Sequence, residues 1–205
     1  MFCSLLKFFR KKFVRLPKKI SKEYINKLPT KQYSGEIKLI KNIKEAKLAC
    51  EEIFQCKVIG FDTESKPSFH KGEHYLPSLI QIATDKKVYI FQIAKIRGLK
   101  CLKDIFSKSD ILKVGIAIRD DVLKLKEIEH FTSAGFIDIS DLTKQLGIQV
   151  TGLRNLTAIF FKFKISKSSQ VTDWSVEKLS QKQLIYAATD AWISRELYLK
   201  VRKFI

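Results

Sequence analysis

Lys57-Val58-Ile59-Gly60-Phe61-Asp62-Thr63-Glu64 is the stretch from which the fold can be read. An apolar run, Val58 to Phe61, feeds into two carboxylates one residue apart. Alternate residues of a strand share a face, so Asp62 and Glu64 are expected side by side at the end of a buried strand. Two carboxylates that close repel, and one would hold its proton at neutral pH. A divalent cation removes the conflict and keeps both ionised. A solvated turn would also satisfy them, so the pair alone leaves both readings open.

Upstream of this strand, Ile37 to Ile40 reads as another. Asn42 is placed to cap a helix from about Ile43 to Phe54, with Ala46, Cys50, Ile53 and Phe54 as its apolar face. Downstream, a polar loop from Ser65 to His74 leads to Leu76-Pro77-Ser78-Leu79-Ile80-Gln81-Ile82-Ala83, where the proline is tolerated near a strand start. Thr84 to Lys87 makes a turn into Val88 to Gln92, so three consecutive strands predict an antiparallel meander.

Beyond the meander, strands and helices alternate. The pattern predicts a short helix near Leu99 to Phe106, a strand from Ile111 to Gly115 and a helix beginning near Asp120. It continues with a strand from Phe136 to Ile139 and helices near Leu142 to Leu146 and Leu153 to Phe161. Phe163 to Val171 reads as irregular, and the longest helix runs from about Gln181 to Lys203. The fold class is α/β: a mixed β-sheet, antiparallel meander plus parallel strands, flanked by helices. No internal repeat and no second hydrophobic core is visible.

A chain of 205 residues suits one domain large enough to build its own core. With 45% hydrophobic and 29% charged residues, disorder is excluded. The formal charge of +18 favours a polyanionic partner, nucleic acid or an anionic membrane surface. Cys3, Cys50, Cys56 and Cys101 form no C-x-x-C pair. They read as free thiols of a reducing, cytoplasmic setting, neither zinc ligands nor a disulfide framework. No apolar run approaches the length of a membrane span.

Residues 1–20 carry Lys7, Arg10, Lys11, Lys12, Arg15, Lys18 and Lys19 and no acid, interleaved with Phe2, Leu5, Leu6, Phe8, Phe9, Phe13 and Val14. Basic residues interrupt the apolar run too often for a secretory leader. An amphipathic helix on a membrane or on nucleic acid, a frayed basic tail and a mitochondrial-type targeting segment all fit. The expected division is therefore a basic, apolar extension at 1–20 and a domain at 21–205.

Two other places carry candidate chemistry. Tyr186 and Asp190 are four apart and share a face of the final helix. Ala187, Ala188 and Ala191 would let that helix approach the sheet closely. Asp190 sits in an apolar stretch, where an unpaired carboxylate is costly. The segment Val114-Gly115-Ile116-Ala117-Ile118-Arg119-Asp120-Asp121 is a strand followed by an acid-headed helix. Acids at a helix start are ordinary, because they complement its dipole.

Taken together and in order, Asp62, Glu64, Asp121, Tyr186 and Asp190 resemble the active site of the DEDD exonucleases. The likeness is to the tyrosine-bearing branch, the RNase D and Werner-type 3'-5' exonucleases. It extends from about Ile37 to the C-terminus and rests on Phe-Asp-Thr-Glu at 61–64, Pro-Ser-Leu-Ile-Gln-Ile-Ala at 77–83, Val-Gly-Ile-Ala-Ile-Arg-Asp-Asp at 114–121, Asp173-Trp174-Ser175 and Tyr-Ala-Ala-Thr-Asp-Ala at 186–191.

The resemblance implies a ribonuclease-H-like fold and two divalent cations, Mg2+ or Mn2+. It makes Asp62, Glu64, Asp121 and Asp190 the metal ligands, with Asp62 bridging the ions. It gives Tyr186 the orienting of the attacking water. Register favours Asp121 over its neighbour Asp120. The implied reaction is hydrolysis of the terminal phosphodiester at a single-stranded 3' end, releasing nucleoside 5'-monophosphates. An RNase D-like enzyme trimming RNA 3' ends is the alternative within that chemistry, and a catalytically silent nucleic-acid-binding protein the alternative outside it. All-oxygen sites suit Mg2+ or Mn2+.

The loop after the first motif brings Lys66, Phe69, Lys71 and Tyr75 near the expected site, and Lys167 lies ahead of Trp174. Lys66, Phe69, Tyr75 and Lys167 are the candidate nucleic-acid contacts, by stacking and by charge. His70 and His74 are expected to be ordinary loop residues. Phe160, Phe161, Phe163 and Trp174 are expected in the core.

Overall fold

The computed structural model describes residues 16–70 and 72–205. Most of the predicted extension, and Lys71 of the loop, lie outside the described residues. Leu16 and Ile20 pack against the cluster around Leu156 and Phe160, and the Lys18 carbonyl accepts from the Gln149 amide at 2.8 Å.

The chain runs α1 (Lys22–Lys27), β1 (Glu36–Ile40), α2 (Ile43–Ile53), β2 (Val58–Ser65), β3 (Pro77–Ala83), β4 (Lys87–Gln92), α3 (Ile93–Ile96) and α4 (Lys103–Ser107). It continues with β5 (Leu112–Gly115), α5 (Ile118–Ile128), β6 (Phe136–Asp138), α6 (Ile139–Gln145), α7 (Leu153–Phe161) and α8 (Gln181–Val201). The six strands form one mixed sheet in the order β1-β4-β3-β2-β5-β6. β2, β3 and β4 are the expected antiparallel meander, with β5 and β6 added parallel on one side and β1 parallel to β4 on the other.

Side-chain alternation divides the core into two layers, one on each face of the sheet. Ile59 and Phe61 of β2 face α2, α4 and α5, together with Ile80, Ile82, Tyr89 and Phe91. On the other face, Leu79, Ala83, Val88 and Ile90 meet Ala187, Ala188 and Ala191 of α8. β5 continues this layer through Val114, packed with Leu156, Phe160 and Leu197. Phe163 is buried against Ile193, and Phe161 packs partly buried beside it.

Gly60 sets how closely α8 lies on the sheet. A Cβ there would collide with the carbonyl oxygen of Ala191. Only glycine lets a helix backbone come that near. Asp62 and Glu64, on the same face as Gly60, are thereby brought over α8.

Local chemistry accounts for most element ends. Asn42 caps α2, its Oδ1 accepting from the Glu45 amide at 2.9 Å. Ser180 and Gln183 form a reciprocal capping box at the start of α8. Three expectations shift. The helix near Leu99 to Phe106 begins only at Lys103, because Gly98 takes φ +100° and the chain turns before it. The helix at Asp120 begins two residues earlier, behind Ala117 in the left-handed region. α6 begins at Ile139, because Asp138 caps it by accepting from the Ser140 amide at 2.8 Å. The short helices α1 and α3 carry too little periodicity to be read from sequence.

Candidate active site

The acids meet where β2 ends against α8. Asp62, Glu64 and Asp190 can each offer a carboxylate oxygen such that all these atoms lie within 4.8 Å of one another. Among the described residues this is the one group of three or more His, Cys, Asp or Glu side chains so disposed. Asp62 and Glu64 are two apart on β2, which puts them on one face. Asp190 faces them from α8, and Tyr186 stands one helical turn earlier.

Burial and mutual repulsion disfavour the ionised forms. Asp62 is pushed well above the usual carboxylate range, first by burial and then by Glu64, Asp190 and Asp121. Glu64 is pushed up to about 9 by burial, with Asp190 and Asp121 adding to it. Burial takes Asp190 to about 7, held down in part by Tyr186 and Lys167. Asp190 is 8% exposed, and its Oδ1 has no hydrogen-bond partner. Buried polar atoms are ordinarily paired, so an orphaned oxygen among carboxylates fits a hard cation with oxygen ligands. On this test the residues suit a divalent cation.

Asp121 stands apart from the trio. Thr63, on the opposite face of β2 from Asp62 and Glu64, donates to Asp121 Oδ1 at 2.6 Å. The left-handed turn at Ala117 starts α5 so that Asp121 meets Thr63. Asp121 is half-buried and its pKa is raised, chiefly by burial. Its neighbour Asp120 is exposed, so the geometry separates the two residues that sequence left adjacent.

Tyr186 is 9% exposed, and its ring packs on Trp174 at 5.8 Å between centroids. Burial, then Asp190 and Glu64, drive its phenol pKa upward. Tyr186 therefore holds its proton and can only donate or position. Trp174 is fully buried, as expected of a packing anchor.

Gln81 is a residue that sequence reasoning passes over. It pairs directly with Asp62 across β2 and β3, is completely buried, and leaves both amide atoms unpartnered. The available clue is an amide in an otherwise apolar strand. Only the pairing register shows that it shares a face with Asp62.

Around the cluster, Lys66 lies over the Tyr75 ring at 5.3 Å and Phe69 is 73% exposed. Glu73 organises this loop by accepting from the Phe69 amide at 2.9 Å and from the His70 amide at 3.3 Å. His74 pairs with Glu127 at 3.1 Å, away from the trio. Lys167 lines a cleft of about 220 Å³ together with Tyr186 and Asp190.

This sheet order, with acids on the central strand and on the helix beside it, is the architecture of ribonuclease-H-like exonuclease domains. The Aedes aegypti Nibbler EXO domain superimposes with TM-score 0.78 at 22% identity, covering 85% of this chain and 92% of that one. The Trypanosoma brucei RNase D complex with RNA U12 superimposes with TM-score 0.73 at 17% identity, covering 87% and 64%. Residues 37–205 match the family model described as 3'-5' exonuclease, and the chain belongs to that family. An Arabidopsis thaliana 3'-5' exonuclease is 34% identical over 152 residues, 68% of this chain and 51% of the relative. The chain thus spans about half the length of this curated relative.

Proposed function

We propose that the chain is a metal-dependent 3'-5' exonuclease that hydrolyses the terminal phosphodiester of a single-stranded 3' end and releases nucleoside 5'-monophosphates. The observation that carries this is the convergence of Asp62, Glu64 and Asp190 within 4.8 Å, with an Asp190 oxygen buried and unpaired.

Asp62, Glu64 and Asp190, with Asp121 beside them, would hold two divalent cations. When bound, such a pair would acidify a water and stabilise charge on the leaving oxygen. Glu64 would accept a hydrogen bond from that water. Tyr186 keeps its proton and orients the water, being far too weak a base to take a proton from it. A bond forms from the water oxygen to phosphorus as the water's proton passes to solvent, and the bond to the 3'-oxygen breaks, that oxygen leaving with a proton drawn from solvent.

Lys66, Phe69 and Tyr75, on the loop beyond Glu64, would stack and pair with the last nucleotides, and Lys167, which lines the cleft with Tyr186 and Asp190, would meet a phosphate. The charge of +18 draws the polyanion in. Cytoplasmic residence is proposed from the free thiols, and the RNase D-like reading differs only in the sugar of the substrate.

The test is digestion of end-labelled single- and double-stranded DNA and RNA with Mg2+, Mn2+ or chelator. Stepwise loss from the 3' end that chelator stops is expected, and the panel reports the preferred sugar. Asp62→Ala is expected to abolish hydrolysis and retain binding. Digestion by this variant at the parental rate overturns the assignment.

A further inference from the structure

Gln81 lies in the middle of the apolar layer between the sheet and α8. On its own strand it stands between Leu79 and Ala83, and Ile90 is its partner on β4. These three belong to one cluster with Ala187 and Ala191 of α8. An aliphatic side chain would fill such a position at least cost, because an amide taken out of water without a partner loses its hydrogen bonds and gains none. Gln81 is fully buried, and among the described residues it alone leaves two buried side-chain atoms, Nε2 and Oε1, without a partner.

One neighbour can use that amide. The partner of Gln81 on β2 is Asp62. Side chains of directly paired residues share a face, with Cβ atoms about 4.5–5.5 Å apart, and a glutamine side chain is long enough to cross that gap. An ionised carboxylate only accepts, through two oxygens with about four lone-pair positions. Cations held among Asp62, Glu64 and Asp190 would leave some of these positions free. A lysine or arginine donor there would compete with the cations by its charge. A neutral amide steadies the carboxylate and leaves that charge to the metal.

We propose that Gln81 is a positioning residue for the cation site, its Nε2 donating to the Asp62 carboxylate and fixing the direction in which Asp62 presents its oxygens. The cations it serves are those of the exonuclease reading, on which the assignment rests. Gln81 itself touches neither metal nor substrate. Ligating carboxylates are ordinarily held by such outer hydrogen bonds, and losing one weakens metal binding about 10- to 100-fold.

Gln81→Met tests it. Methionine is unbranched and of similar reach, fills an apolar layer well and offers no donor. Mn2+ binding to the full chain is measured by electron paramagnetic resonance of the free ion, and thermal melts are run in chelator. Ile90→Val is the packing control, since it disturbs the same layer beside Gln81 and removes no donor.

Gln81→Met is expected to bind Mn2+ about tenfold more weakly or worse, while melting in chelator no lower than the parent. The Mn2+ concentration for half-maximal digestion should rise by the same factor, with most of kcat restored at saturation. Ile90→Val should melt lower and bind Mn2+ as the parent does. Unchanged Mn2+ affinity in Gln81→Met overturns the assignment, as does an equal loss in Ile90→Val. Gln81→Leu is the second apolar variant. If both apolar variants fail to fold in chelator, the assignment is also overturned, because the amide would then hold the layer and not the carboxylate. Failure of the exonuclease reading is a separate result, seen in the parent alone as no digestion at saturating Mn2+.

Discussion

Replacing Asp190 by Asn keeps the shape of the side chain and removes its charge, so the cluster's electrostatics can be weighed directly. In the metal-free protein Asp190 is pushed from 3.8 to about 7, chiefly by burial. At about 1.4 kcal/mol per pKa unit, keeping it ionised in the fold costs roughly 4 kcal/mol at most. Shared protons with Asp62 and Glu64 reduce the expected gain to about 1–2 kcal/mol. The folded pKa is raised above the unfolded one, so below about pH 4 both states are protonated and the group contributes nothing against folding. Between about pH 4 and 7 the unfolded state releases its proton first, and stability falls as pH rises. Above pH 7 the penalty is constant.

In chelator at pH 8, Asp190→Asn should therefore melt about 3–6 °C above the parent, with the difference vanishing near pH 4. Saturating Mn2+ or Mg2+ should reverse the order, because a ligand of the folded state stabilises only the protein that binds it. Differential scanning calorimetry across pH 4–8, with and without metal, reads both effects. A variant that melts below the parent in chelator at pH 8, or a parent indifferent to both pH and metal, refutes the reasoning.

Gly60→Ala should cost about 2–3 kcal/mol in chemical denaturation, because the new methyl group collides with the Ala191 carbonyl and pushes α8 off the sheet. Hydrolysis should fall more than stability alone explains, since Asp190 moves with α8. Lys113→Met should destabilise by about 2 kcal/mol, because the buried Lys113 Nζ donates to the carbonyls of Lys108 at 2.6 Å, Ile111 at 2.7 Å and Ile105 at 3.0 Å. Burial lowers the Lys113 pKa to about 8. The parent should accordingly gain stability from pH 8 towards 10, where only the unfolded state still holds the proton, and the variant should not. Oligonucleotide binding should weaken with salt, with a log–log slope of about 0.7 for each phosphate neutralised on a single strand.

Features that depend on near neighbours along the chain were legible without coordinates. Alternation placed Asp62 and Glu64 on one face of β2, Asn42 capped α2, and the i,i+4 spacing put Tyr186 and Asp190 on one face of α8. The order of acids in their local settings was enough to expect a metal site and to name the family likeness. Folding in three dimensions settled what depends on pairing between distant segments, for which no local pattern exists. Strand register set Gln81 beside Asp62, and β1 joined the sheet next to β4. The left-handed turn at Ala117 gave Asp121 to Thr63, outside the carboxylate trio, and left Asp120, which register had already disfavoured, exposed. The start of α7 lines one cleft with Asp190 because α7 and α8 pack against each other, a contact made through space that no spacing along the chain encodes.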